Sequence, residues 1–346
     1  MYKRNGMKKL LFLIWFVFAV TVASAQSEAT VIFDRHPRKE DTKANTAVVP
    51  EEDTSTFQWD EITWDETLNL FYEPGGIAFA GGIGNIEPLL FEGNIVPYYQ
   101  IGLDAINKWT VLLSPQIILR MYNTYSYPVR TPSYMPRMIL AHQSSKYTRQ
   151  YHDWFQYVSW WHHSNGQDGN FYNYNPDSTI AGINTKSGSF STNWIEAGVF
   201  ASRAHSNRQY YAKLYGKYCY QQDTMLNGLY GRLRFNFDLK FEWNIARTLS
   251  GLNIKFFDEK ETILSNVIKV GVICGNIDKY ETFDIQRCIL DYTISFKPAF
   301  LEDVTLFAQY YWGEDYYNIY FNRTLQMFRI GISAQNRFFV PEKKKH

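Results

Sequence analysis

The stretch from Leu229 to Trp243 does most to limit the folds open to this chain. Its odd positions read Leu229, Gly231, Leu233, Phe235, Phe237, Leu239, Phe241 and Trp243, and its even positions Tyr230, Arg232, Arg234, Asn236, Asp238, Lys240 and Glu242. Successive side chains of a strand point to opposite faces, so one face is continuously apolar and the other carries charges of both signs. The same division returns where Val304, Leu306, Ala308, Tyr310 and Trp312 oppose Thr305, Phe307, Gln309 and Tyr311. It returns again where Phe328, Ile330, Ile332 and Ala334 oppose Arg329, Gly331, Ser333 and Gln335. In a soluble sandwich the apolar face packs on a second sheet, whereas in a transmembrane barrel it meets lipid and the charges lie inside. These runs exceed the roughly 5–6 residues usual for soluble strands and suit the roughly 9–11 that cross a bilayer.

The N-terminus reads as a secretory leader. Lys3, Arg4, Lys8 and Lys9 precede the apolar segment Leu10 to Ala23, and Ala23-Ser24-Ala25 offers small residues for cleavage. Cleavage after Ala25 leaves Gln26 first, with no Cys to carry a lipid anchor. Beyond residue 25 no apolar run reaches the roughly 18 residues of a membrane helix, so an exported chain of this kind is either soluble or crosses the bilayer as a closed barrel. Aromatics make up 18% of the chain and charged residues 20%, a balance that favours the barrel because Trp and Tyr settle at membrane–water interfaces. A net charge of +1 without a basic stripe argues against nucleic-acid binding. Cys219, Cys274 and Cys288 are odd in number and widely spaced; one disulfide is open to them, and free thiols are the simpler reading.

The expected organisation is a signal peptide at 1–25, a polar and poorly ordered periplasmic extension at 26–65, a barrel at 66–339 and a basic tail at 340–346. At roughly 22 residues per strand and connection, the barrel holds about 12 strands. The fold class is therefore all-β, a transmembrane antiparallel barrel in the outer membrane of a Gram-negative-type bacterium, with its last strand ending near Phe338-Phe339.

The segment Trp154 to Gly166, WFQYVSWWHHSNG, carries the chemistry. Trp154, Gln156, Val158, Trp160, His162 and Ser164 share one parity, so His162 and Ser164 stand on one face, an imidazole next to a hydroxyl. A serine hydroxyl becomes a nucleophile when a neighbouring base takes its proton, and a third group must hold the imidazole in the right tautomer. Asn193 tops the apolar row Ile195, Ala197, Val199 and Ala201, while Glu196 falls on the opposite, luminal row. If the two strands are neighbours, His162, Ser164 and Asn193 meet at the outer rim. A His-x-Ser pair alone equally describes polar rim residues that face headgroups and loop water.

Here the residues carry more. HHSNG at 162–166, followed by SGSFSTNW at 187–194, resembles the signature of the outer-membrane phospholipase A family. SYPVRTPSYMP at 126–136 and VTLFAQYYWGEDYYNIYFNRTLQMFRIGI at 304–332 resemble two further segments of that family. The resemblance implies a twelve-stranded barrel, calcium-dependent hydrolysis of phospholipid acyl esters, and a homodimer as the active form. It implies Ser164 as nucleophile, His162 as base and Asn193 as the residue that orients it. It implies a Ca²⁺ site formed by the Ser189 side chain, the Gln167 carbonyl and, from the other subunit, the Ser126 carbonyl. Gln167 replaces an Arg of the family, a change that a carbonyl ligand survives, and the loop from Asn165 to Thr192 is longer than the family's. Backbone N–H groups at Ser164 and Gly166 are candidates for an oxyanion hole. Two competitors stand beside phospholipase A: lipid A deacylation, which also uses a His-x-Ser pair on a barrel wall, and a non-catalytic barrel. The non-catalytic barrel would serve as a pore or a structural element; the charged row from Arg232 to Glu242 suits a pore and equally a packed interior network, the reading that about 12 strands favour.

Overall fold

The computed structural model describes residues 64–79, 89–104, 109–143, 153–205, 208–245, 262–298, 301 and 304–334. The leader, residues 26–63 of the polar extension, Phe338-Phe339 and the basic tail lie outside the described residues. Among the described residues one α-helix, α1 (Trp64–Phe71), precedes fifteen strands. These are β1 (Gly75–Phe79), β2 (Leu89–Ile95), β3 (Tyr99–Asp104), β4 (Trp109–Tyr122), β5 (Ser133–Gln143), β6 (Asp153–Ser164), β7 (Tyr172–Tyr174) and β8 (Ile180–Ile183). They continue with β9 (Ser191–His205), β10 (Arg208–Gln222), β11 (Leu233–Asn244), β12 (Ile263–Cys274), β13 (Cys288–Lys297), β14 (Val304–Glu314) and β15 (Thr324–Ala334).

Thirteen strands form one antiparallel sheet that closes on itself. β1 pairs with β15, from Gly75 opposite Ala334 to Phe79 opposite Ile330, and with β2 on its other side. β2 and β3 pair with successive halves of β4, Leu89 to Ile95 against Tyr122 to Ile117 and Tyr99 to Asp104 against Leu113 to Trp109. They are one barrel stave, interrupted at Val96-Pro97-Tyr98, where Pro97 has no N–H to give the ladder and Val96 and Tyr98 are buried. With β2 and β3 counted together the wall has twelve staves, the number expected. β7 and β8 stand apart as a small hairpin in the β6–β9 connection.

The alternation read in the sequence is the alternation of the wall. Exposed apolar side chains run round the outside: Ile77, Ile95, Leu113, Met138, Trp160, Val199, Leu214, Phe235, Val270, Ile294, Leu306 and Ile330, each on a different stave. Soluble monomers rarely expose contiguous apolar patches beyond a few hundred Å²; a complete belt is the lipid-facing surface of a membrane barrel. No described helix is long and apolar enough to cross a membrane.

The interior is filled. Helix α1, which Pro74 terminates, buries Leu68 and Phe71 among the inward residues Leu112, Ile139, Phe155, Tyr157 and Phe200. Phe71 meets Phe155, Tyr157 and Phe200 edge-on at 5.2, 5.1 and 5.6 Å. At the opposite end the β14–β15 loop folds inward, burying Tyr317, Ile319 and Phe321 against Phe190, Trp194 and Tyr230. Between these apolar layers lie paired charges. Glu92 accepts from Arg120 at 2.6 Å, from Arg329 and from the Tyr316 hydroxyl at 2.8 Å. Arg120 also donates to Asp315 at 2.8 Å, and Arg323 reaches the same carboxylate at 2.9 Å. Glu196 accepts from Tyr157 at 2.7 Å and faces Lys213 and Lys217 at 3.7 and 3.4 Å, and Arg234 meets Glu314 at 2.7 Å.

Two expectations need correction. β11 begins at Leu233 rather than Leu229: Gly228 takes φ +77° and residues 229–232 turn off as a loop. Tyr230 is consequently buried in the core, and Arg232 is exposed and bonded to Asn227 at 3.0 Å, so the luminal row starts at Arg234. The first element among the described residues is helical, and it takes in Trp64 and Asp65, which the sequence assigns to the poorly ordered extension. The three cysteines are free, as the simpler reading had it. Placing a charge on the outer wall by Phe237→Arg should lower stability by about 2–4 kcal/mol, read from urea unfolding in lipid vesicles. An unchanged midpoint would mean that Phe237 does not face hydrocarbon.

Candidate active site

β6 and β9 are neighbours, and their register sets His162 directly opposite Asn193. The pleat turns His162 and Ser164 outward with Trp154 and Trp160, while Phe155, Tyr157, Ser159 and His163 turn inward and are buried. The two adjacent histidines therefore have different surroundings. His163 packs edge-on against Phe190, with ring centroids 5.0 Å apart, whereas the His162 ring lies on the outer wall with Nδ1 2.9 Å from Asn193 Oδ1. Asn193 Nδ2 donates in turn to Gln221 Oε1 at 3.3 Å. An amide oxygen accepting from Nδ1–H leaves Nε2 unprotonated, the state of a general base.

Ser164 ends β6 at the loop end of the wall, opposite Tyr134 on one side and Ser191 on the other. Tyr134 faces Ser164 and Arg137 faces Trp161, so Pro136 falls opposite His162, and its missing N–H leaves the ladder open at this level. No hydrogen bond joins His162 to Ser164 among the described residues; such bonds are often long in substrate-free sites and tighten on binding. Beside the polar group the wall presents exposed Tyr134, and below it exposed Met138, Trp160 and Ile195. That apolar surface suits an acyl chain.

The loop after Ser164 is held by one side chain. Asn165 is 2% exposed; its Oδ1 accepts from the N–H groups of Gln167 and Phe190 at 3.2 and 3.1 Å, and its Nδ2 donates to the Gly188 carbonyl at 2.8 Å. Both ends of the loop are thereby tied together. Gly166 follows with φ +66°, where a side chain would be strained and its Cβ would come within 3.3 Å of the Tyr134 ring. Gly169 and Ser189 then zip the loop's base, Gly169 N–H to the Ser187 carbonyl and Ser189 N–H to the Gly169 carbonyl, both at 2.9 Å.

The proposed metal ligands divide. Gln167 and Ser189 lie on adjoining runs at this base, and neither the Gln167 carbonyl nor the Ser189 hydroxyl enters a hydrogen bond among the described residues. Both are neutral oxygens, the donor type a hard cation takes. Ser126 lies in the β4–β5 loop, exposed, its carbonyl accepting from Thr124 Oγ1 at 3.2 Å. That loop touches the β6–β9 loop through the Tyr127 hydroxyl, which donates to the Lys186 carbonyl at 2.9 Å. Among the described residues no three His, Cys, Asp or Glu side chains cluster as a metal site. The sequence reading missed Asn165, whose Asn-Gly signal marked a turn without showing the clamp, and it missed Gln221 and Tyr134.

No protein-family model and no curated protein sequence matches the chain. Among solved structures, the chain is similar to outer membrane phospholipase A from Escherichia coli, in an active-site mutant form, at 12% identity and TM-score 0.48, over 82% of this chain and 93% of that one. It is similar to the Salmonella typhi outer membrane phospholipase dimer with bound calcium at 13% identity and TM-score 0.44, over 76% and 90%. It is also similar to the NanC porin at 11% identity and TM-score 0.41, over 76% and 99%. Barrels of different use stand side by side in this group, so function is argued from the site.

Replacing Asn165 by Ala removes three hydrogen bonds, two of them buried, each worth about 0.5–1.5 kcal/mol. Amide hydrogen exchange over residues 165–190 should accelerate while the barrel staves stay protected; equal protection in the variant would show that the clamp does not hold the loop.

Proposed function

We propose that this protein is a calcium-assisted phospholipase A of the bacterial outer membrane. The observation that carries the reading is the bond from His162 Nδ1–H to Asn193 Oδ1 on the lipid-facing wall, with the Ser164 hydroxyl on the same face. Ser164 Oγ attacks the acyl ester carbonyl as His162 Nε2 takes its proton. The tetrahedral oxyanion collapses, the C–O bond to the lysophospholipid breaks, and His162 returns the proton to the departing alkoxide. Water then attacks the acyl-enzyme with His162 again as base, releasing the fatty acid and restoring Ser164. Asn193 holds the imidazole without adding a negative charge.

N–H groups of Ser164 and Gly166 are the candidate oxyanion donors. Gln167, Ser189 and the Ser126 carbonyl of a second copy would hold Ca²⁺, which when bound would polarise the ester carbonyl and stabilise the oxyanion. The homodimer belongs to this proposal through the resemblance alone, which implies that the Ser126 carbonyl comes from the other subunit. The outward placement solves access: the acyl chain meets Trp160 and Met138 where it already lies in the bilayer. The packed lumen, with α1 and the β14–β15 loop at its ends, speaks against a pore, and the Asn193 partnership favours phospholipid over lipid A as substrate through its match to the phospholipase segments.

Ser164→Ala and His162→Ala should each cut fatty-acid release from phospholipid vesicles by about 10⁴–10⁶-fold, and a calcium chelator should suppress the wild-type rate. Unchanged release from Ser164→Ala would refute the nucleophile; chelator-insensitive release would remove the metal from the proposal. Steady ion conductance in planar bilayers without any lipolysis would return the chain to the pores.

A further inference from the structure

We infer that Gln221 is a positioning residue that sets which way the Asn193 amide faces; the inference rests on the hydrolase reading above. Along β10, Lys213 and Cys219 are buried inside the barrel while Leu214 and Tyr218 are exposed outside. By that parity position 221 belongs to the lumen. The register instead slips: Cys219 pairs with Trp194, and Gln221, not Tyr220, pairs with Asn193. This is a β-bulge, one extra residue that inverts the faces beyond it. Exposed Tyr220 is the inserted residue, and Gln221 emerges on the outer wall beside the candidate active site.

The consequence is chemical. Asn193 has one acceptor end and one donor end. With Nδ2 donating to Gln221 Oε1 at 3.3 Å, Oδ1 is the atom left to face His162 Nδ1 at 2.9 Å. Were the amide turned over, its NH₂ would meet Nδ1 and favour the tautomer with the proton on Nε2, which cannot accept from Ser164. Three adjacent strands, β6, β9 and β10, thus give one outward-facing chain, His162–Asn193–Gln221. Gln221 touches neither substrate nor the reacting atoms, and acts through Asn193.

An aspartate at 193 offers an acceptor whichever way it turns, and that supplies the test. Gln221→Leu should lower kcat for vesicle phospholipid about three- to tenfold, the worth of one such hydrogen bond, with KM little changed. Gln221→Glu keeps an acceptor and should recover most of the rate. Its carboxylate should also move the acid limb of the pH–rate profile to higher pH, because a nearby negative charge favours the imidazolium. In an Asn193→Asp background, Gln221→Leu should cost nothing further. All variants are compared after their β-sheet circular dichroism has been matched to the wild type. Wild-type kcat in Gln221→Leu overturns the proposal, as does a loss that neither Gln221→Glu recovers nor Asn193→Asp abolishes. Ser164→Ala run alongside separates the two readings. If it retains full release, the hydrolase itself falls; if it is inactive while Gln221→Leu matches wild type, only the positioning role falls.

Discussion

The pairing of β1 with β15 on one side and of β2 with β4 on the other is the constraint from which the rest of the molecule follows. In hydrocarbon, an unpaired row of N–H and C=O groups costs several kcal/mol for each group, so a wall of this kind must leave no edge. The seam is close-fitting. A Cβ at Gly76 would sit 2.6 Å from the Ile332 carbonyl, so only glycine lets the first and last staves approach as they do. Once the ring is shut, each side chain has two destinations, lipid or lumen, and the pleat assigns them in alternation. The placement of His162, Ser164 and Asn193 outside and of His163, Trp161 and Trp194 inside is that assignment at work.

The lumen then carries the burden that a hydrophobic core carries elsewhere. Charges taken out of water need partners, and removing one member of a buried pair typically costs about 3–5 kcal/mol. Glu92 and Asp315 meet this by sharing partners. Together with Arg120, Arg323 and Arg329 they join β2, β4, β15 and the β14–β15 loop. Because that loop is anchored by charge and capped by Tyr317, Ile319 and Phe321, the mouth beside the candidate site is firm. A firm rim is what such a site needs when its members are divided between two strands, His162 and Ser164 on β6 and Asn193 on β9.

Much of this was written in the alternation. The outward and inward rows of β6, β9, β14 and β15 and the luminal place of Glu196 could all be read from period two, whereas the pairing of His162 with Asn193 was a condition that the register of β6 and β9 supplies. What escaped reading were departures from the period. Gly228 at positive φ breaks the apparent strand at 229, Pro97 splits one stave in two, and the bulge in β10 moves Gln221 across the wall. Each is a one-residue event with no periodic signal. Helix α1 escaped for another reason: eight residues with Leu68 and Phe71 three apart make too short a pattern to stand out from a polar segment.

That helix also bears on how the molecule comes together. It immediately precedes β1, the strand on which β15 must close, and its Leu68 and Phe71 are enclosed by inward residues of β4, β5, β6 and β9. A closed wall offers no side entrance for a helical turn. The end of the lumen is the way in, so the segment that leads into the closing strand β1 is also the plug of that end, and closure and plugging share one set of buried contacts.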